Sequence, residues 1–135
     1  MVTAQINSFI VKRVMIDQRS GVDVMYPDLF KGLGLKNKDL SKCDTPLVGF
    51  NGRVVILEGH ILLPVNMEDK NVVVTFVVIT SFSLYTAILE RSWIHAMGAI
   101  LSTLHVKVKF YTEKGIAIVR GSQQVARQCL VAAVN

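Results

Sequence analysis

Apolar residues along this chain recur at every second position or in short runs, and this pattern is typical of β-strands joined by turns. Residues 3–16 predict a hairpin that turns at Asn7 and Ser8. A polar loop follows, and residues 22–26 then predict a short strand. We therefore expect a mainly β domain.

Two later segments carry strand patterns as well. Residues 46–65 predict a long hairpin with Asn51-Gly52, a strong turn dipeptide, at its tip. Residues 102–112 alternate cleanly between two faces. One face carries Leu104, Val106, Val108 and Phe110, and the other carries His105, Lys107 and Lys109.

The uncharged segment 71–89 is about as long as a membrane-spanning helix. Valine, isoleucine, threonine and aromatic residues dominate it, however, and these residues favour strands. The turn-compatible residues Ser81, Phe82 and Ser83 interrupt it. The segment therefore predicts two buried core strands, residues 71–80 and 85–89, and no membrane association.

Three segments predict short helices. In residues 27–35, Pro27 suits the first turn and Gly34 suits the stop. Residues 92–100 predict a second helix, and residues 122–134 predict a C-terminal helix. The last helix has Ser122 as a cap and an apolar face of Val125, Cys129, Leu130 and Ala133. With no repeat or linker, we expect one domain, residues 1–135, built as a closed β barrel with short helices.

Composition narrows the possible partners. The net charge is +5, but the basic residues are scattered and no aromatic residues interleave with them, so nucleic-acid binding is disfavoured. Cys43 and Cys129 lie far apart, and the three histidines lack ligand spacing, so no metal site or other cofactor is predicted. No secretory signal is visible, and we expect an intracellular, cytoplasmic setting.

The stretch "VMIDQRSGVDVM" places Asp17 where an apolar strand breaks into a tight loop. Such an aspartate is most often a turn or cap residue, although the same position can hold an acid or base. Ser20 has no histidine placed as its base by the local sequence, so it is not predicted to be a nucleophile. Asp23, on the next strand, is expected to form structural hydrogen bonds.

The order of three segments resembles the retropepsin-like aspartic proteases, and most closely the protease segment of plant gypsy-type LTR retrotransposon polyproteins. These segments are the strand ending in Asp17, the hairpin tipped by Asn51-Gly52 and the strand "AILERSW". The resemblance covers nearly the whole chain, including "VMIDQRSGVDVMYPDLFKGLGL", "DTPLVGFNGRVVILEGHILLPV", "YTAILERSWIHAMGAI", "STLHVKVKF" and "RGSQQVARQCLVAA".

The resemblance implies a small β barrel that acts as a homodimer on a polypeptide substrate, with one aspartate from each subunit and no cofactor. On this basis Asp17 is the catalytic residue, in an active-site loop with Gln18, Arg19 and Ser20. The flap would comprise Gly49, Phe50, Asn51, Gly52 and Arg53. Ile88, Leu89 and Glu90 would support the catalytic loop from behind.

Three positions depart from the pattern of the family. Arg19 and Glu90 stand where the family has glycines close to the catalytic centre, and Ser92 stands where it usually has proline. A long cation at position 19 should crowd the approach of two such loops and favour the ionised form of Asp17. If Arg19 and Glu90 lie near each other, their opposite charges would allow them to pair.

Two functions therefore stay open. The first is an aspartic endopeptidase of the retropepsin type that matures a retrotransposon polyprotein, with activity impaired or lost in this copy through Arg19 and Glu90. The second is a catalytically inactive dimerisation or interaction module on the same fold. The sequence leaves cleavage specificity, dimer affinity and membership of a longer polyprotein undecided.

Overall fold

The computed structural model describes residues 1–42, 47–48, 54–55, 57–102 and 107–120. The strands are β1 (Val2–Ile6), β2 (Phe9–Ile16), β3 (Asp23–Met25), β4 (Leu47–Val48), β5 (Val54–Val55), β6 (Leu57–Met67), β7 (Lys70–Ile79), β8 (Ala87–Leu89), β9 (Ile100–Ser102), β10 (Lys107–Thr112) and β11 (Gly115–Arg120). The helices are α1 (Pro27–Gly32), a short 3-10 helix (Asn37–Asp39) and α2 (Arg91–Met97).

Six strands form a closed barrel in the order β1-β2-β8-β3-β7-β6. β1 and β2 form the predicted hairpin, and both turn residues, Asn7 and Ser8, have positive φ angles as tight hairpin turns require. The β barrel predicted from the strand pattern is therefore confirmed. The predicted core strands β7 and β8 are not neighbours, because β3 pairs with both of them and separates them.

The interior of the barrel is filled by apolar side chains from every barrel strand and from both helices. Along β1 the burial alternates strictly, whereas the last four residues of β7 are all buried, and Val77 and Ile79 pack with Val24 of β3 in a second, smaller cluster. The largest fully buried apolar side chains are Trp93, Phe76, Phe110, Ile6, Met25 and Leu89.

A bulge bends β2 in its middle. The pairing register between β1 and β2 shifts between Val2 and Ala4, and Arg13 has a φ of 59°, which a non-glycine residue rarely adopts. The Thr86 hydroxyl donates to the carbonyl oxygen of Lys12 at 2.6 Å, and the Thr86 N–H donates to the carbonyl oxygen of Arg13 at 3.0 Å. These bonds fix the last part of β2, which leads directly to Asp17.

The predicted hairpin over residues 46–65 is only partly realised. β4 and β5 form a short antiparallel pair, with Leu47 opposite Val55, while β6 pairs with β7 and β1 instead. At Gly59 a side chain is excluded, because a Cβ there would lie 2.6 Å from the carbonyl oxygen of Ser41. This close approach lets the chain at Ser41 add a bridge to His60 of β6.

The first two predicted helices are confirmed. α1 begins at Pro27 and is followed by Gly34 with a φ of 75°. α2 buries Trp93 and ends at Gly98 in the left-handed conformation. The predicted C-terminal helix lies outside the described residues. Within the described part of the chain, no helix is both long enough and apolar enough to cross a bilayer.

After α2, the chain forms a three-stranded sheet in the order β11-β10-β9. The predicted alternation holds for the described part of its central strand, because Val108 and Phe110 are buried while Lys109 is exposed. On the outer side of this sheet Ile100, Tyr111, Ile116 and Ile118 are exposed.

Candidate functional site

Asp17 lies where β2 leaves the barrel beside β8. The two strands run parallel, with Ile16 opposite Leu89. The Asp17 N–H donates to the carbonyl oxygen of Leu89 at 2.9 Å, and Leu89 is fully buried. The backbone of Asp17 is therefore fixed to the core, while its side chain stays 20% exposed and can meet a substrate.

The loop after Asp17 is tied to the start of α2 by three hydrogen bonds. The Ser20 N–H donates to Oε2 of Glu90 at 3.2 Å. In return, the N–H and the Nε of Arg91 both donate to the carbonyl oxygen of Ser20, at 3.1 and 3.2 Å. Ser20 is thus held at both its N–H and its carbonyl oxygen, so the loop has a fixed path past Asp17.

A buried carboxylate completes this arrangement. Asp23, the first residue of β3, is fully buried, and its Oδ1 accepts the Glu90 N–H at 2.6 Å. Burial raises the pKa of Asp23, and hydrogen bonds, that of the Glu90 N–H first among them, oppose the rise. The structural hydrogen bonding expected of Asp23 is confirmed, and its partner is the residue that follows β8.

Glu90 is the most unusual residue of the site, because it is an acid that is only 4% exposed. Burial raises its pKa to about 7, and the negative charges of Asp17 and Asp23 add to the rise. The hydrogen bond from Ser20 and the charge of Arg91 act in the opposite direction. Glu90 therefore keeps its proton to a much higher pH than an exposed glutamate does.

Arg19 lies next to Asp17 rather than in the interior. Its N–H donates to Oδ1 of Asp17 at 3.0 Å, and its Nε lies 3.8 Å from the same oxygen. The Arg19 side chain is 71% exposed. The charges that act on Glu90 are those of Asp17, Asp23 and Arg91, so the hypothesis of an Arg19–Glu90 pair finds no support here.

Of the other predicted site residues, some are described by the structure and the flap residues are not. Gln18 is exposed, and the Ser20 hydroxyl accepts the Val22 N–H at 3.3 Å, so that hydroxyl acts as a turn group. Ile88 pairs with Met15 and with Val24, directly behind the loop. The predicted flap residues Gly49, Phe50, Asn51, Gly52 and Arg53 lie outside the described residues.

Sequence reasoning missed Arg91 as a member of the site. Nothing in the pattern around "LERSW" distinguishes its side chain from any other exposed cation at the start of a helix. Its contact with Ser20 spans 71 residues of chain and arises only when β8 inserts between β2 and β3. A signal of this kind exists in the tertiary structure alone.

The chemistry open to this site is that of carboxyl groups. Across the residues that the structure describes, no group of three or more histidine, cysteine, aspartate or glutamate side chains could hold a metal ion. An ionised Asp17 can take a proton from water, and a second, protonated carboxyl must then polarise the group under attack. Glu90 is too deeply buried to be that second group.

No family model matches the chain, and no curated protein matches it. Among solved structures, the retroviral protease-like domain of Ddi1 from Leishmania major is similar with a TM-score of 0.66 and 18% identity, covering 88% of this chain and 90% of that one. EIAV protease, solved with the inhibitor HBY-793, is similar with a TM-score of 0.60 and 17% identity, covering 74% of this chain and 88% of that one.

A retropepsin-like aspartic protease from Rickettsia conorii is similar with a TM-score of 0.58 and 17% identity, covering 87% of this chain and 79% of that one. At such identities the likeness concerns the fold. The chain has a retropepsin-like fold, as its sequence resemblance predicted.

Proposed function

We propose that this chain is an aspartic endopeptidase domain of the retropepsin type, in which Asp17 is the catalytic residue. The observation that carries the proposal is the position of Asp17, whose N–H is bonded to the buried Leu89 at the end of a barrel strand while its side chain is still 20% exposed. The likeness of the whole fold to three protease domains supports it.

The proposed reaction needs two copies of the chain, because the site supplies one exposed carboxyl and the chemistry requires two. When the Asp17 residues of two copies face each other, repulsion makes them share one proton. The ionised carboxyl takes a proton from water, which attacks the peptide carbonyl, and the protonated one stabilises the developing oxyanion. Residues 49–53 would close over the peptide as a flap.

We further propose that cleavage by this chain is weak or lost. Arg19 is exposed next to Asp17, so a second copy would bring another Arg19 to the same place. The two side chains would crowd the approach of the loops and hold the two Asp17 carboxyls apart. Maturation of a retrotransposon polyprotein in the cytoplasm is the setting that the sequence resemblance supports.

The test is peptide turnover from acidic to neutral pH, with a pool of peptides from polyprotein-like sequences. Arg19→Gly together with Glu90→Gly should raise turnover above wild type and above either single change. Because Glu90→Gly also removes the acceptor of the Ser20 N–H, Arg19→Gly with Glu90→Gln is the matched variant that keeps an acceptor.

Asp17→Asn provides the control, since it should abolish any gain in every background. Robust wild-type turnover that depends on Asp17 would contradict the proposed impairment. If neither the wild type nor any variant shows turnover that Asp17→Asn removes, the protease proposal itself fails.

A specific observation favours a second candidate, an inactive dimerisation module. The outer face of the sheet formed by β9, β10 and β11 exposes Ile100, Tyr111, Ile116 and Ile118, with β11 at the edge of the sheet. We propose a second copy of this chain as the partner, because the resemblance to retropepsin-like proteases implies a homodimer. Concentration-dependent dimerisation in sedimentation, together with no turnover in any variant, would select this candidate.

A further inference from the structure

We propose that Glu90 is a positioning residue that holds the Asp17 loop in place more firmly when it carries a proton. The neutral carboxyl of Glu90 stays buried and accepts the Ser20 N–H, and loss of the proton makes opening of the loop easier. This inference deepens the proposed function, since it concerns the regulation of the same site, and it rests on that proposal for its biological meaning.

The geometry gives Glu90 control over the loop. Its carboxyl takes the Ser20 N–H at 3.2 Å, and its own N–H is fixed by Asp23 at 2.6 Å. Ser20 lies three positions after Asp17, and both ends of the segment are bonded to residues 89–91. If Oε2 of Glu90 moves away, the Ser20 N–H loses its acceptor, and the remaining bonds from the loop to α2 are those that the Ser20 carbonyl oxygen accepts from Arg91.

The charges around Glu90 favour its protonated form. Asp17 approaches from the end of β2 and Asp23 from β3, and both oppose a negative charge on Glu90. Arg91, from α2, is the cation that favours that charge, while Arg19 is directed at Asp17. Tyr26, which follows β3, also faces Glu90, and the pKa of its phenol is raised mainly by burial. Two acids and burial outweigh one cation and one hydrogen bond.

Linkage gives the direction of the effect. The pKa of Glu90 is raised from 4.5 to about 7 in the closed loop, so the closed state binds a proton that an open, solvated Glu90 would release. The closed loop is therefore most stable below pH 4.5 and loses stability as the pH rises to about 7, above which no further loss is expected.

Amide hydrogen exchange of Ser20 tests this without any peptide cleavage. After correction for the intrinsic exchange rate, protection of the wild-type Ser20 N–H should fall by up to about tenfold per pH unit between pH 4.5 and 7, and then level off. In Glu90→Gln, whose side chain keeps an acceptor but cannot ionise, most of this fall should disappear. Glu58→Gln, a change at an exposed acid, should behave like wild type.

Carbon NMR of the Glu90 carboxyl provides a second readout, and its signal is assigned by its absence in Glu90→Gln. Titration near pH 7 is expected. Titration near the ordinary glutamate value, or the same fall in Ser20 protection in wild type and Glu90→Gln, would overturn the inference. Because neither measurement involves turnover, the proposed role of Glu90 can hold even if the protease proposal fails, and the reverse is also true.

Discussion

The region around Asp17, here called the corner (residues 17–23 and 89–91), and the three-stranded sheet after α2 differ in which side chains they bury. The corner buries two acids, Asp23 and Glu90; one oxygen of each accepts a backbone N–H, while Oδ2 of Asp23 is buried without a hydrogen-bond partner among the residues that the structure describes. The sheet leaves large apolar side chains such as Ile116 and Tyr111 exposed. Both features lower the stability of an isolated chain, because burying an acid and exposing a large apolar side chain each raise the free energy of the folded state.

Both features point to function rather than to stability. Buried acids with shifted pKa values are concentrated at functional sites, and exposed apolar faces are concentrated where a partner covers them. The two regions should therefore respond differently to change. The free energy of unfolding should depend on pH and on single polar groups in the corner. Substitutions on the outer face of the sheet should change it little, but they should weaken association with a second copy.

The largest effect expected is the pH dependence of the corner. Since the pKa of Glu90 is raised to about 7, the free energy of unfolding should fall as the pH rises from 4.5 to 7, by at most about 3 kcal/mol from this group. Glu90→Gln should remove that contribution, so the difference between the two proteins should change with pH. Urea unfolding at several pH values measures it, and parallel pH curves for both proteins would contradict the assignment.

Removal of the Asp23 carboxyl should have the next largest effect. Asp23→Ala leaves the buried Glu90 N–H without its acceptor, which should lower the free energy of unfolding by about 2 kcal/mol. Asp23→Asn keeps an acceptor oxygen and should cost clearly less. Equal urea midpoints for Asp23→Ala and wild type would show that this bond is not what holds the start of α2.

The sheet should show a smaller effect on folding and a separate effect on association. Ile116→Thr keeps a β-branched residue on an exposed position, so the stability of the single chain should change by less than about 0.5 kcal/mol. By contrast, Ile6→Val in the barrel core should cost about 1 kcal/mol. Sedimentation should show weaker self-association for Ile116→Thr only. Unchanged association would move the proposed interface elsewhere.

Arg19 should contribute least to stability, although it lies in the same corner as Glu90. Its side chain is largely exposed and its Nε lies 3.8 Å from Asp17, so Arg19→Ala should change the free energy of unfolding by less than about 0.5 kcal/mol. Thermal unfolding at low and high salt checks this. A loss above about 1 kcal/mol would mean that the guanidinium has a buried role, in contrast to its exposure.

Local pattern alone determined much of this protein. Alternation and turn residues located the β1–β2 hairpin with Asn7 and Ser8, and Pro27 and Gly34 marked the start of α1 and the turn that follows it. These features depend on neighbours within a few residues, so the sequence contains their cause. The resemblance to retropepsin-like proteases also predicted the closed barrel and the place of Asp17 beside Leu89.

The tertiary structure alone decided how the acids are used. The Ser20–Glu90 and Asp23–Glu90 bonds each span about 70 residues, and they exist because β8 inserts between β2 and β3. From the sequence, Glu90 was noted as the replacement of a family glycine that could pair with Arg19. In the structure Glu90 is buried and accepts the Ser20 N–H, and its pKa is raised, because desolvation and nearby charge act through space and leave no periodic trace along the chain.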